Sequence, residues 1–496
     1  MKKYEQFSAC LRRILEEEGI SASEVSRLVG FRSRNSIFRI LSDQTSIRVQ
    51  EEFYDALKEH IGSGWPQRHW LELEEALEIS RMGVVDYQDR KAFRELVLSG
   101  ARKCCGISLN LPQPESGYTT KEIRPLIRHA AASGRLEITI CGCLNVSLCT
   151  LLAEELAAAG REGRVSVRHF VNMADDVAVQ NVIAIQPLLY YSWYDALLVE
   201  PGVCPEEMSA IYQSNMMIMM HTAENGEKHV RNLLMHNQHT LYLAESRPCD
   251  GEDKTVRLLN FYGRYLPKLK NNFPVSMSVG DYVSYTSQLR QMEKDKEIFS
   301  IKPDISIYYI HPDVLRSSAL DGFRQSGFLD PADMPCFVQQ FYDVHLNRYN
   351  NIMNKRKVTN VVFSFDAMKN FVLTGKQTNH FFAMRPYTLA ERMAIIKHLR
   401  DQTVNNPYFS IRFLKKGNPL PSMEIALYEG VGVMFTKVDT TYNLSGDHAE
   451  ALVTHKGFAR KFREFYMQEL LPKYATTYQE TIAAFDELAR IATEEG

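Results

Sequence analysis

The sequence predicts a multidomain chain: an all-α N-terminal domain followed by a large α/β body whose sheets are mixed or mostly parallel. Three observations carry this. Apolar residues recur at helical spacing through residues 7–97. Beyond residue 122, β-rich runs such as 136–141 (LEITIC) and 165–171 alternate with helical stretches such as 148–159, the strand–helix–strand pattern of parallel pairing. The 496 residues also exceed single-domain size, so about two to four domains are expected.

Apolar content of 45% and charged content of 24% are those of an ordinary globular protein. A net charge of −2 excludes a globally basic nucleic-acid binder, so any such affinity must be local. Nine cysteines lack regular spacing, and Cys141, Cys143 and Cys149 do not make the C-x-x-C pairs of structural zinc, which fits a reducing compartment. Lys2 and Lys3 precede an amphipathic helix, not an apolar leader core. The most apolar run, 183–199, is broken by Gln186, Pro187 and Asp195, so no membrane span is expected. The expected location is cytoplasmic.

Residues 20–42 (ISASEVSRLVGFRSRNSIFRILS) are where spacing, caps and charge converge. Ser21 and Glu24 have the spacing of a capping box. Val25, Leu28 and Val29 make one apolar stripe, and Gly30 stands where a left-handed residue ends a helix. Ser33 offers the next N-cap, and Ile37, Ile40 and Leu41 form the buried stripe of a second helix. That leaves Arg34, Asn35, Ser36, Phe38 and Arg39 on other faces. Arginine pairs bidentately with guanine and asparagine with adenine, while serine bonds bases or phosphates. Residues 27–48 hold Arg27, Arg32, Arg34, Arg39 and Arg48 against Asp43 alone, a basic face on a nearly neutral domain.

This helix, glycine turn and helix, preceded by a helix bearing Phe7, Leu11, Ile14 and Leu15 and followed by one bearing Phe53, Leu57 and Ile61, resembles the Cro/CI-type (XRE-like) helix-turn-helix DNA-binding family. The resemblance covers residues 4–61. It implies that helix 21–30 lies across the DNA backbone and that helix 33–42 enters the major groove. The implied DNA contacts are Arg27, Arg32, Ser33, Arg34, Asn35, Ser36, Arg39 and Arg48. The implied partner is double-stranded DNA read by a homodimer at two half-sites.

The expected order is the helix-turn-helix domain at 1–62, connecting helices at 63–107, a linker at 108–121, an α/β sensor region at 122–350, and a second α/β region with C-terminal helices at 351–496. Within these, 305–310 reads as a strand, 423–427 and 431–435 as a hairpin across Glu429-Gly430, and about 449–471 as a helix. Strands at 136–141 and 358–364 each precede a helix and further strands, which suggests two related halves.

Chemistry is harder to find. Thr374-Gly375-Lys376-Gln377-Thr378 lacks the upstream glycine and the Ser/Thr of a phosphate loop and reads as a helix end. His229, His236 and His239 cluster without complementary carboxylates or cysteines. No G-x-S-x-G or H-E-x-x-H occurs. No catalytic residue, metal or cofactor is assigned. The sequence therefore points to a transcription regulator whose body oligomerises or senses a small-molecule or protein effector. The alternative is an α/β enzyme handling nucleotides or phosphates, with a helical assembly domain at its N-terminus.

Overall fold

The computed structural model describes residues 4–30, 34–62, 64–98, 120–200, 208, 211–212, 214–236, 240–248, 253–273, 287–303, 305–326, 332, 334–377, 385–418, 423–437 and 450–494. The chain divides into two compact units, residues 1–91 and 92–496. Each is taken by itself. The expected linker lies mostly outside the described residues.

Amphipathic spacing in the first unit yields α1 (Phe7–Glu17), α2 (Ala22–Val29), α3 (Arg34–Leu41), α4 (Ile47–Ile61), α5 (Gln67–Met82) and the start of α6 (Val84–Leu98). Their apolar faces meet in one core, where Phe7, Leu11, Ile14, Val25, Ile37, Ile40, Phe53 and Leu57 are fully buried. Trp65 and Trp70 close one end, with ring centroids 5.3 Å apart. Arg13 ties the outside together, reaching Glu5, Glu17 and Glu72 at 3.1, 2.8 and 2.9 Å.

The second unit is α/β, as the alternating pattern predicts. α7 (Thr120–Ala132) leads into β1 (Gly134–Cys141), α8 (Val146–Arg161), β2 (Val165–Asn172), α9 (Ala178–Ile185) and β3 (Tyr194–Val199). β1, β2 and β3 pair in parallel. Antiparallel β4 (Met216–Ala223), β5 (Lys228–His236) and β6 (Thr240–Pro248) complete a six-stranded sheet in the order β3-β2-β1-β4-β5-β6. Gly160, in the last turn of α8, lets the helix approach the strands. A Cβ there would fall 2.1 Å from the Trp193 indole, so no larger residue fits without displacement.

α10 (Lys254–Gly263) and β7 (Lys270–Phe273) lead to a second sheet. Its parallel part is β8 (Ile298–Lys302), β9 (Thr359–Ser364) and β10 (Phe409–Leu414), connected through α11 (Pro312–Ser326), α12 (Met334–Met353), α13 (Phe365–Thr374) and α14 (Leu389–Asn405). β11 (Met423–Tyr428), β12 (Gly432–Lys437) and β13 (Glu450–Val453) continue it antiparallel, and β7 adds to β13. The order is β10-β9-β8-β11-β12-β13-β7. Apart from β7, this repeats the first sheet strand for strand. The two halves suggested by the sequence are therefore present in topology, but the counterpart of β1 is β8, and β9 answers to β2. α15 (Lys456–Phe465), a π-helical segment Tyr466–Tyr474 and α16 (Tyr478–Glu494) close the chain.

One core joins the two sheets, holding Ile138 and Met217 from the first and Ile425 and Phe435 from the second, with Phe458, Phe462 and Phe465 of α15. Phe93 of α6 packs against all three of those rings at 5.4 to 5.6 Å. The far face of the second sheet is covered by α11 to α14 and α16.

Two expectations need correction. Residues 305–310 are not a strand; they contain a 3-10 turn, Ile307–Tyr309, and the strand is β8, just before. Ile305, Ile307, Tyr309 and Ile310 are all buried, and an apolar run buried on every side has no period to separate strand from turn. Residues 450–453 are strand rather than helix, because pairing with β12 and β7 overrides a locally helical pattern. The helix begins only at Lys456, with the His455 Nδ1 accepting the Phe458 N–H at 3.1 Å.

Candidate nucleic-acid interface

α2 begins as the capping box predicts. The Ser21 hydroxyl accepts the Glu24 N–H at 3.2 Å, and the Glu24 carboxylate accepts the Ser21 N–H at 2.8 Å. That backbone hydrogen bond, with smaller help from Arg27, holds the Glu24 carboxyl below its usual value. Gly30 follows with φ of 60°, a left-handed conformation that ends the helix. α2 packs against α3 and α4, and α1 packs against α3.

Val25 and Val29 are buried as expected, but Leu28 is 52% exposed. On this short helix the i, i+4 pair is buried, with Ala22 half-buried against the same core. α3 buries Ile37 and Ile40 and turns Asn35, Phe38 and Arg39 outward, the i, i+3, i+4 set of a single helix face, with Ser42 exposed just past its end. Ser36 is half-buried. Arg27 is exposed in the last turn of α2. Arg48 stands in the first turn of α4, 85% exposed and paired with Glu52 at 3.1 Å. Arg32 and Ser33 lie outside the described residues. Arg34 opens α3, and its side chain also lies outside what is described.

Charge placement matters as much as position. The Arg39 guanidinium donates to the Gln44 carbonyl at 3.4 Å, which keeps it near the C-terminal end of α3. Arg12 donates to the Leu41 carbonyl and so satisfies an end group of the same helix. Asp43, the one acid of residues 27–48, accepts from Ser8 at 2.9 Å and from Gln50 at 3.3 Å. Its charge is thereby engaged by α1 and α4. Phe38, 46% exposed beside Arg39, adds an apolar surface to this face, as Leu28 does on α2. Sequence spacing placed Phe38 outward but gave no sign that Leu28 would join it.

In the second unit, the side chain most plainly missed by sequence reasoning is His455. Its Nδ1 accepts the Phe458 N–H, so Nε2 carries the proton and donates to Glu200 at 3.1 Å. The contact joins the end of β3 to the start of α15. Burial lowers the His455 pKa, opposed by the charges of Glu200 and Asp175. A histidine just before a helix is an N-cap signal, but Glu200 is 255 residues away, since 455 − 200 = 255. Among the described residues, no three metal-ligating side chains come together, and no helix is long and apolar enough to cross a membrane.

No protein-family model matches the chain, and no curated relative does. Among solved structures, the crystal structure of a phosphatidylserine synthase from Haemophilus influenzae Rd KW20 aligns with 83% of this chain and 98% of its own, at 8% identity and a TM-score of 0.23. A likeness of that degree supports no conclusion about fold or activity.

Proposed function

We propose that the chain is a DNA-binding transcription regulator whose helical N-terminal unit is a helix-turn-helix, α3 being the element that enters the major groove. The observation that carries this is the outward face of α3, Asn35, Phe38 and Arg39, with Ser42 just past its end, behind a capped α2 and a left-handed Gly30. Asn35 and Arg39 supply adenine- and guanine-reading groups, while Arg27 and Arg48 supply phosphate contacts from neighbouring helices. The α/β unit would sense an effector or hold two copies together. A dimer would read half-sites about 34 Å apart, one helical turn.

Fluorescence anisotropy with the gene's own upstream DNA and a scrambled control, at several salt concentrations, tests the reading. Tighter, salt-dependent binding to the native fragment is expected. Arg39→Ala, Arg34→Ala and Asn35→Ala should each relax preference between the two DNAs, by about 1–3 kcal/mol. Arg27→Ala should weaken both equally and flatten the salt slope. If all three α3 variants kept the wild-type preference, α3 would not be the reading helix.

A further inference from the structure

β9 and β10 are parallel neighbours, and their C-terminal ends open onto one corner of the second unit. α13 starts at Phe365 straight after β9, Lys415 and Lys416 follow β10, and the N-terminal turns of α16 face them. Here the corner holds a cavity of about 280 Å³. At the packing density of protein interiors that is room for on the order of ten non-hydrogen atoms.

The cavity has two kinds of wall. Phe365, Phe413 and Ala484 give it an apolar floor, with the two rings edge to face at 5.9 Å. Four charged side chains stand on the rest. Lys416 reaches both Glu487 carboxylate oxygens, at 3.0 and 3.1 Å, and its ammonium lies 4.7 Å from the Phe365 ring centre. Lys415 donates to the Lys473 carbonyl at 3.0 Å. Glu480 accepts the Thr477 N–H at 2.7 Å, which holds its carboxyl below the usual value. Two cations and two anions, largely exposed and with Lys416 and Glu487 paired to each other, therefore rim an apolar pocket, and their charges cancel.

That cancellation narrows the ligand. A phosphate or nucleotide needs an excess of positive charge, which this rim lacks. A wholly apolar molecule would cover four charges and return nothing for their lost hydration. A small molecule that is itself neutral overall, with one carboxylate, one ammonium and an apolar body, satisfies every wall. We propose that this cavity binds a free α-amino acid with an apolar side chain. The carboxylate faces the lysines, the ammonium faces Glu480 and Glu487, and the side chain lies on Phe365, Phe413 and Ala484. The proposal rests on the cavity and is independent of whether the helical unit binds DNA.

Isothermal titration of the full chain with L-leucine and L-phenylalanine tests it. N-acetyl-L-phenylalanine, which lacks the ammonium, L-phenylalaninamide, which lacks the carboxylate, and inorganic phosphate are the comparisons. Saturable binding of one of the two free amino acids is expected, at least about tenfold weaker with either derivative, and none with phosphate. Lys416→Met and Glu487→Gln change exposed side chains and should each weaken binding about tenfold with the far-ultraviolet circular dichroism unchanged. Ala484→Leu should fill the floor and abolish binding. Absence of heat up to about 10 mM amino acid, where even a few kcal/mol of affinity would register, overturns the proposal. So does equal binding of the acetylated or amidated forms, or wild-type affinity in both rim variants.

Discussion

His169 and His345 are buried, and each is held neutral by its surroundings. The Tyr194 hydroxyl lies 2.8 Å from the His169 Nδ1, while Nε2 lies 2.8 Å from the Gly142 carbonyl, so Nε2 donates and Nδ1 accepts. Burial, only partly offset by that carbonyl, pushes His169 down to about 4. Burial and the nearby Arg348 charge push His345 down to about 3. Both folded values lie below the unfolded value near 6.5, so the unfolded chain takes up protons first as pH falls. Their contribution to stability is complete above about pH 6.5 and is lost as pH falls toward 4 and then 3. Between pH 7 and pH 5 the two together should remove on the order of 3–4 kcal/mol. Urea unfolding of the wild type at both pH values, repeated with His169→Gln and His345→Gln, measures this; variants as pH-sensitive as the wild type would contradict it. Beside His345 lies a buried ion pair, Arg348 with Glu293, each side chain 3% exposed, with the guanidinium stacked 3.2 Å from the Tyr308 ring centre. Beside it, burial opposes the charge on Lys302, yet Glu424 holds its pKa above the usual lysine value. None of these partnerships was visible in the sequence, because Glu293 and Arg348 are 55 positions apart and Lys302 and Glu424 are 122 apart.

At the scale of single elements, local rules were readable wherever the signal was itself local. The Ser21–Glu24 box, the Gly30 and Gly375 helix ends, the β1-α8-β2 unit and the hairpin of β11 and β12 all rest on residues within a few positions of one another. Elements fixed by distant pairing were not readable. β13 was read as the first turn of a helix. Lys355 follows the end of α12 by two residues, yet it is buried, donates to the Lys296 carbonyl at 3.0 Å, and is pushed down by that burial to about 8. The α2–α3 turn offers the sharpest test here. Ser21→Ala should cost about 1 kcal/mol by removing a cap. Gly30→Ala should cost a similar amount from backbone strain alone, since a Cβ at Gly30 meets nothing within 4 Å. Gly30→Asn should cost less, because asparagine tolerates the left-handed region. Denaturant titration followed by Trp65 and Trp70 fluorescence would show it; a neutral Gly30→Ala would mean the turn relaxes out of its left-handed form.

For the whole molecule, two compact units with separate cores predict two calorimetric transitions. Differential scanning calorimetry should resolve them, and one symmetric peak with equal calorimetric and van't Hoff enthalpies would contradict the division. The α/β class of the larger unit was legible from strand–helix alternation. Its doubling was only hinted at, since topology can repeat while side chains diverge beyond residue-level likeness. The added strand β7 gives that doubling a consequence in time. Phe273 lies opposite Glu450, so 450 − 273 = 177 residues separate the two partners in sequence. At ribosomal rates of about 5–20 residues per second, β7 leaves the exit tunnel roughly 9–35 seconds before the strand it joins. During synthesis, the chain must therefore carry an unmatched strand edge while most of its second sheet is still being made, and a message truncated before β13 would leave that edge permanently open to association with other chains.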